Sequence, residues 1–240
     1  MTDRADPTSP PPEARRGPAA HAAGHRQRLR ARFLAGGPEA LAGYEILELL
    51  LFGAIRQGDV KPLAKRLIGR FGSLGAVLAA PSDRLRGAGL ADSTIVSIKL
   101  VQAAALHLIR ADILDRPVLS SWQALLDYCQ AAMARAPAEE FRVLFLDRKN
   151  RLIADEVQQR GTVDQAAVYP REVLKRSLEL GASALILAHN HPSGDPTPSK
   201  ADIEVTKQVI AAAEPLGIVV HDHIVVGLGK HASFRALGLI

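Results

Sequence analysis

Hydrophobic positions follow a helical period in the first half of the chain. In 60-VKPLAKRLIGRFG-72, Leu63, Leu67 and Phe71 recur at four-residue steps, which predicts an amphipathic helix that ends at Gly72. Further apolar segments predict helices at 38–55 and 73–81, and helix-hairpin-helix character over 84–110. We therefore expect the first half of the chain to contain helices and no strands.

The second half alternates between two periods. Helical segments are separated by short apolar runs that are typical of buried strands. The predicted order is helix 121–136, strands 141–147 and 151–161, helix 170–181, strand 184–190, helix 199–217 and strand 218–227. Alternating helices and strands indicate an α/β fold, specifically a three-layer sandwich with helices on both faces of a sheet.

Composition shifts along the chain predict four parts. Residues 1–20 are rich in Pro, Ala and charge and predict a disordered tail. A small all-α domain over 21–112 contains the Gly turn of a helix-hairpin-helix. A linker over 113–120 contains Pro117. The α/β domain occupies 121–240.

The composition excludes several classes of protein. The chain has 240 residues, of which 48% are hydrophobic, and one cysteine, so a disulfide framework and a Cys-based zinc finger are excluded. Cys129 has the spacing of a buried helix residue. We expect no apolar run long enough to span a bilayer and see no signal peptide, so the expected location is cytoplasmic.

Positive charge is concentrated in the first half. Residues 1–118 carry 17 Lys and Arg against 11 Asp and Glu, whereas residues 119–240 carry 13 against 14. The local field is strongest where arginines alternate in 25-HRQRLRARFLAGG-37, at Arg26, Arg28, Arg30 and Arg32. DNA is therefore an expected partner of this half, although a solvated helix explains the same pattern.

The segment 188-AHNHPSGDPTPSKAD-202 contains a candidate metal site. His189 and His191 are two apart at the end of a strand, so both imidazoles point to the same side. Asp202 lies in the first turn of the next helix and can face them. Two imidazoles and one carboxylate are typical of catalytic zinc, although ferrous iron binds similar sets.

Other polar residues offer alternatives to this ligand set. Asp195 is nearer to the histidines, but in a Gly-Asp-Pro turn it is expected to bond local backbone. His221 and His223 repeat the His-x-His spacing around Asp222. These three are either polar residues at a strand end, a second metal site, or residues that support the ligands, with Asp222 the candidate for that support.

The chain resembles a known family. His189-x-His191, seven residues, Ser199, two residues and Asp202 match the JAMM motif of MPN-domain metalloproteases. The string HNHPSGDPTPS resembles the RadC family, as do 161-GTVDQAAVYPREV-173, 231-HASF-234 and 44-YEILELLLFGAIRQGDVKPLAKRLIGRFGSL-74. The resemblance covers the chain beyond the tail. It implies a JAMM/MPN (deaminase-like) domain with a mixed sheet over 121–240.

The resemblance also implies roles for individual residues. His189, His191 and Asp202 would be the ligands of Zn²⁺, and Ser199 would donate a hydrogen bond to the developing oxyanion. A glutamate would act as general base, as a carboxylate beside zinc-activated water can. The candidates are Glu139, Glu140, Glu156 and Glu172. Glu140 is the expected base, because it directly precedes the first core strand at Phe141.

Two hypotheses of function follow. The first is a zinc-dependent hydrolase of JAMM/MPN type, a metallopeptidase or isopeptidase with a peptide or isopeptide substrate. The alternative is a DNA-binding accessory protein of repair or recombination with a structural or idle metal, or a metal-dependent nuclease. The chain has Gly89-Leu90-Ala91 where RadC hairpins usually have Gly-Leu-Gly, which weakens the case for DNA binding through this turn.

Overall fold

The computed structural model describes residues 18–114, 117–161 and 168–240. Most of the predicted tail lies outside these ranges, as do two residues of the predicted linker. Contacts between Cα atoms divide the chain into two compact units, with the division between Leu74 and Gly75. The linker expected at 113–120 is therefore not where the contacts divide the chain.

The first unit is helical. Its helices are α1 (Pro18–Gly36), α2 (Gly43–Ala54) and α3 (Lys61–Phe71), with a 3₁₀ turn at Pro38–Ala40 between the first two. α3 ends before Gly72, as its apolar period predicts, and Gly72 has a φ of 95° that a side chain would strain. Buried leucines of this unit include Leu47, Leu51 and Leu67.

Four further helices lie between α3 and the first strand of the sheet. They are α4 (Leu74–Ala79), α5 (Ser82–Arg86), α6 (Asp92–Leu114) and α7 (Trp122–Met133). The turn between α5 and α6 contains Gly89, whose φ is 87°. Ile113 and Val118 lie within the predicted linker but are fully buried in the core around α7. The residues on both sides of 115–116 are thus part of the second unit's core.

A five-stranded sheet follows these helices. Its strands are β1 (Glu140–Leu146), β2 (Leu152–Arg160), β3 (Ala184–Asn190), β4 (Val219–Gly227) and β5 (Lys230–Ser233), in the order β2-β1-β3-β4-β5. β3 and β4 are parallel, and the other neighbours are antiparallel. The predicted mixed sheet is confirmed, and β5 is an addition that the hydrophobic pattern did not indicate.

Helices cover both faces of the sheet. One face packs on α7, in a core that includes Leu144, Ile186 and Ile224. The other face packs on α8 (Pro170–Leu180) and α9 (Lys200–Ala213), in a core that includes Phe141 and Leu187. The α/β class and its helix–sheet–helix layers are therefore confirmed.

One helix corrects an expectation about membranes. By length and composition, residues Asp92–Ala111 of α6 could cross a bilayer, and 17% of that window is buried. The expectation that no apolar run is long enough is wrong by this criterion. A single such helix is weak evidence for a membrane span. The cytoplasmic location stays a prediction.

Candidate metal centre

Four polar side chains meet at one end of the sheet. His189 lies near the end of β3, and His191 follows the last residue of that strand. Asp202 is in the first turn of α9. Glu139 directly precedes β1, whose residue Phe141 pairs with His189 across the sheet. Ligand atoms of these four residues all lie within 4.8 Å of one another, and the group could hold a metal ion.

The two imidazoles present the same nitrogen to the centre of this group. His189 Nε2 and His191 Nε2 are 3.0 Å apart. Asp202 places Oδ1 3.4 Å from His189 Nε2 and Oδ2 3.6 Å from His191 Nε2. His189 is 1% exposed, whereas His191 is partly accessible to solvent. The site is thus buried on the strand side and open on the loop side.

The loop after β3 orients His191. Nδ1 of His191 is 2.8 Å from the backbone carbonyl oxygen of Asp195, which can only accept a hydrogen bond. In the neutral imidazole the hydrogen is therefore on Nδ1, and Nε2 keeps its lone pair. The carboxylate of Asp195 instead accepts from the amide and hydroxyl of Thr197. Asp195 supports a ligand through its backbone, and its carboxylate stays in the turn.

A capping box orients Asp202. Ser199 is the N-cap of α9, and its Oγ accepts from the Asp202 amide at 3.1 Å. Asp202 Oδ2 accepts from the Ser199 amide at 2.7 Å, which leaves Oδ1 to face His189. The pKa of Asp202 lies below its usual value although burial raises it, and the hydrogen bonds from Ser199 contribute to this lowering. Asp202 is thus held as a carboxylate, the form that binds cations.

The neighbouring glutamates have different surroundings. Glu139 belongs to the group that could hold a metal. Glu140 is ion-paired with Arg160 at 3.1 Å, and Arg142 lies 3.9 Å away. It also lines a separate cavity of about 380 Å³ with Lys99 and Arg160. The structure therefore brings Glu139 to the histidines instead of the expected Glu140.

The other two glutamates considered as bases are engaged elsewhere. Glu156 forms an ion pair with Arg176 at 2.7 Å, and Arg176 lowers the pKa of Glu156. Glu172 lies in the first turn of α8 and contacts Arg171. Neither belongs to the metal-binding group.

The donor set fits a zinc ion. Nitrogens bound to one tetrahedral zinc at about 2.0–2.1 Å are separated by about 3.3 Å. The three separations of 3.0, 3.4 and 3.6 Å between His189, His191 and Asp202 bracket this value. These residues would hold the ion, with Glu139 beside it.

His221, Asp222 and His223 are neighbours in β4 but contact different parts of the protein. A bulge at Leu185/Ile186 leaves His221 without a partner in β3, so the two histidines do not act as a pair. His221 Nε2 contacts Asn150 Oδ1 at 2.7 Å. Asp222 accepts from the backbone amides of His223 and Arg235 and from the Ser233 hydroxyl, so it anchors the chain after β5.

His223 is the member of this trio that contacts a ligand. Its Nε2 is 2.7 Å from His189 Nδ1, and its side chain is fully buried. Burial lowers its pKa well below the usual value, so the imidazole is neutral. The His-x-His spacing on a strand was the signal that singled it out, but the spacing alone did not separate it from Asp222.

The sequence also singles out Cys129 and the four arginines of α1. Cys129 is fully buried in the core on α7, and burial raises the pKa of its thiol to about 12, which disfavours a nucleophilic role. Arg26 donates to the carbonyls of Arg56 and Gly58. Arg32 donates to Glu45, whereas Arg28 and Arg30 are exposed.

Comparison with known proteins agrees with this fold. A family model described as a RadC-like JAB domain matches residues 119–239, which defines the class of the sandwich. A UPF0758 protein of Rhodobacter capsulatus is 64% identical over 213 residues, which cover 88% of this chain and 100% of that protein. A UPF0758 protein of Ruegeria pomeroyi is 54% identical over 217 residues, or 90% of this chain and 97% of that one. The chain belongs to the RadC family.

Proposed function

We propose that the protein is a zinc-dependent hydrolase of JAMM/MPN type that cleaves a peptide or isopeptide bond. The observation that carries this proposal is the convergence of His189, His191, Asp202 and Glu139 within 4.8 Å at the open end of the sheet. Zinc in such a site polarises a carbonyl and lowers the pKa of bound water to about 7. The membership of the RadC-like JAB domain supports the same class.

Glu139 is the proposed general base in place of Glu140. Its carboxylate lies beside the donor atoms, where it can take a proton from the attacking water. The same carboxyl then gives that proton to the leaving amine as the C–N bond breaks. Glu140 is paired with Arg160, so its carboxylate is engaged on another side of the strand.

Ser199 is the proposed donor to the oxyanion. Its Oγ accepts from the Asp202 amide, so the hydroxyl hydrogen is not used in that bond. The residue is exposed at the mouth of the site. A hydroxyl at this place can donate to the carbonyl oxygen as negative charge develops, a contribution typically worth about a hundredfold to a thousandfold in rate.

The decisive test compares two adjacent substitutions. We expect Glu139→Gln to abolish hydrolysis of a combinatorial mixture of peptides and Lys-linked isopeptides, detected by mass spectrometry. Glu140→Gln is the matched control and retains hydrolysis, since it removes the same charge one residue away. Zinc content by elemental analysis should be about one per chain in the wild type and lost in Asp202→Ala.

The outcomes separate the parts of the proposal. Hydrolysis that survives Glu139→Gln but not Glu140→Gln would return the role of base to Glu140. A folded wild type that takes up no zinc would overturn the hydrolase proposal itself. DNA binding by the basic first half would then be the better account of the chain.

A further inference from the structure

A chain of hydrogen bonds runs from the backbone of α9 to His189. Thr206 Oγ1 lies 2.5 Å from the backbone carbonyl oxygen of Asp202. The same Oγ1 lies 2.6 Å from His223 Nδ1. His223 Nε2 lies 2.7 Å from His189 Nδ1. Thr206 and His223 are both fully buried, so water does not compete for these bonds.

The direction of every bond in this chain follows from its first member. A carbonyl oxygen only accepts, so the single hydroxyl hydrogen of Thr206 goes to Asp202. Thr206 Oγ1 must then accept from His223, which places a hydrogen on Nδ1 of that ring. The nitrogens of the buried His223 ring contact Thr206 and His189, and burial favours the neutral imidazole because an unpaired buried charge is costly. Nε2 of His223 is therefore bare and accepts from His189 Nδ1.

The opposite direction would lose the bond to the Asp202 carbonyl and place a hydrogen on the ligand nitrogen of His189. If Thr206 donated to His223, the carbonyl of Asp202 would face a bare hydroxyl oxygen at 2.5 Å. If His223 donated from Nε2, the hydrogen of His189 would move to its own Nε2, where it would point at His191 Nε2 and occupy the ligand position. Buried polar groups without partners cost about 1–3 kcal/mol each, so the first direction prevails.

We propose that Thr206 and His223 are positioning residues that set the tautomer of His189, so that its Nε2 faces the metal as a bare ligand. The inference rests on the metal site of the proposed function. Asp202 acts at both ends of the arrangement, because its carbonyl begins the chain of bonds and its carboxylate is the third ligand. His191 is set separately, by the carbonyl of Asp195.

Thr206→Val tests this proposal, because it keeps the shape of the side chain and removes the hydroxyl. His223 loses the acceptor that orients it, and we expect the affinity for Zn²⁺ to fall about 10–100-fold. The affinity is measured with zinc alone, by competition against a chromophoric chelator, on the full chain. Thr206→Ser restores the hydroxyl and should bind zinc nearly as tightly as the wild type.

Ser177→Ala is the matched control for a lost buried hydroxyl. Ser177 is also fully buried and donates to a carbonyl four residues back in its helix, but it is not in the metal-binding group. Ser177→Ala should therefore leave the affinity for Zn²⁺ unchanged. Thermal melts of both variants show that each is folded.

Nitrogen-15 NMR of the metal-free wild type reads the tautomers directly. We expect a hydrogen on Nδ1 of both His189 and His223. A hydrogen on His189 Nε2, or wild-type zinc affinity in Thr206→Val, would overturn this inference and leave the proposed function standing. A wild type that binds no zinc would instead overturn the proposed function, while the tautomers would still be read by NMR.

Discussion

Glu139 and Glu140 are adjacent, yet they belong to different sides of β1. Successive side chains of a strand point to opposite faces, so Glu139 shares the face of Phe141, whose partner in β3 is His189. Glu140 shares the face of Arg142 and pairs with Arg160. Position next to Phe141 in sequence therefore does not by itself decide which of the two glutamates faces His189.

Gly227 is a residue whose missing side chain shapes the loop beside the metal site. A Cβ at this position would lie 2.3 Å from the carbonyl oxygen of Gly194 and 3.0 Å from Pro196 Cδ. We expect Gly227→Ala to displace this loop, which also holds His191 through Asp195. The cost in unfolding free energy is about 1–3 kcal/mol, measured by urea denaturation.

Gly53→Ala is the control for this change. Gly53 is exposed in α2, and an added Cβ meets nothing within 4 Å. Alanine there should stabilise the protein by about 0.5–1 kcal/mol, because glycine is a poor helix residue. A Gly227→Ala protein as stable as the wild type would show that the loop has another arrangement at no cost.

At the scale of elements, α1 is held to the first unit by one of its arginines. The guanidinium of Arg26 donates to the carbonyls of Arg56 and Gly58 at 3.0 and 2.9 Å and lies 4.6 Å from the ring centroid of Phe52. We expect Arg26→Ala to lower the unfolding free energy by about 1–2 kcal/mol, since these bonds are partly exposed. Arg28→Ala, on the exposed face, should change it by less than about 0.5 kcal/mol.

We propose α1 as the element that would contact DNA, and its exposed arginines as the side chains that would do so. Arg28 and Arg30 are exposed, with the Arg30 guanidinium 5.7 Å from the Phe52 ring centroid, whereas Arg26 and Arg32 donate hydrogen bonds within the unit. If α1 contacts phosphates, removing Arg28 and Arg30 together should reduce the slope of log affinity against log salt by about one per lost contact. An unchanged slope would place any DNA contact on another element.

The N-terminus of α9 serves folding and the site with the same residues. Ser199 and Asp202 form a reciprocal capping box, a device usually found for its contribution to helix stability. Because the cap uses one carboxylate oxygen, the other stays directed at His189. The start of the helix and the position of the third ligand are thus determined together.

At the scale of the whole molecule, we expect zinc bound at the metal site to raise the free energy of unfolding. Zinc bound to the folded protein at 100 times its dissociation constant adds about 2.7 kcal/mol. A strong chelator should therefore lower the thermal midpoint of the wild type by roughly 5–10 °C. The midpoint is followed by circular dichroism, and restoring zinc should reverse the change.

Asp202→Ala is the control for that experiment. Without the third ligand, the chelator should leave its midpoint almost unchanged. A shift as large as in the wild type would mean that zinc stabilises the protein at some other place.

Local sequence determined much of this protein. Helical and strand periods predicted seven elements of the α/β domain, namely three helices and four strands, because each period reflects the backbone geometry of a few neighbouring residues. His189, His191 and Asp202 lie within residues 189–202, from the end of a strand to the first turn of the next helix, so their convergence could be inferred from spacing.

The tertiary structure decided what depends on pairing between distant segments. It separated Glu139 from Glu140 through the register of β1 on β3, separated His221 from His223 through a bulge, and joined Thr206 to His189 through β4. No local period encodes such pairings, because register and bulges arise only when strands far apart in sequence meet.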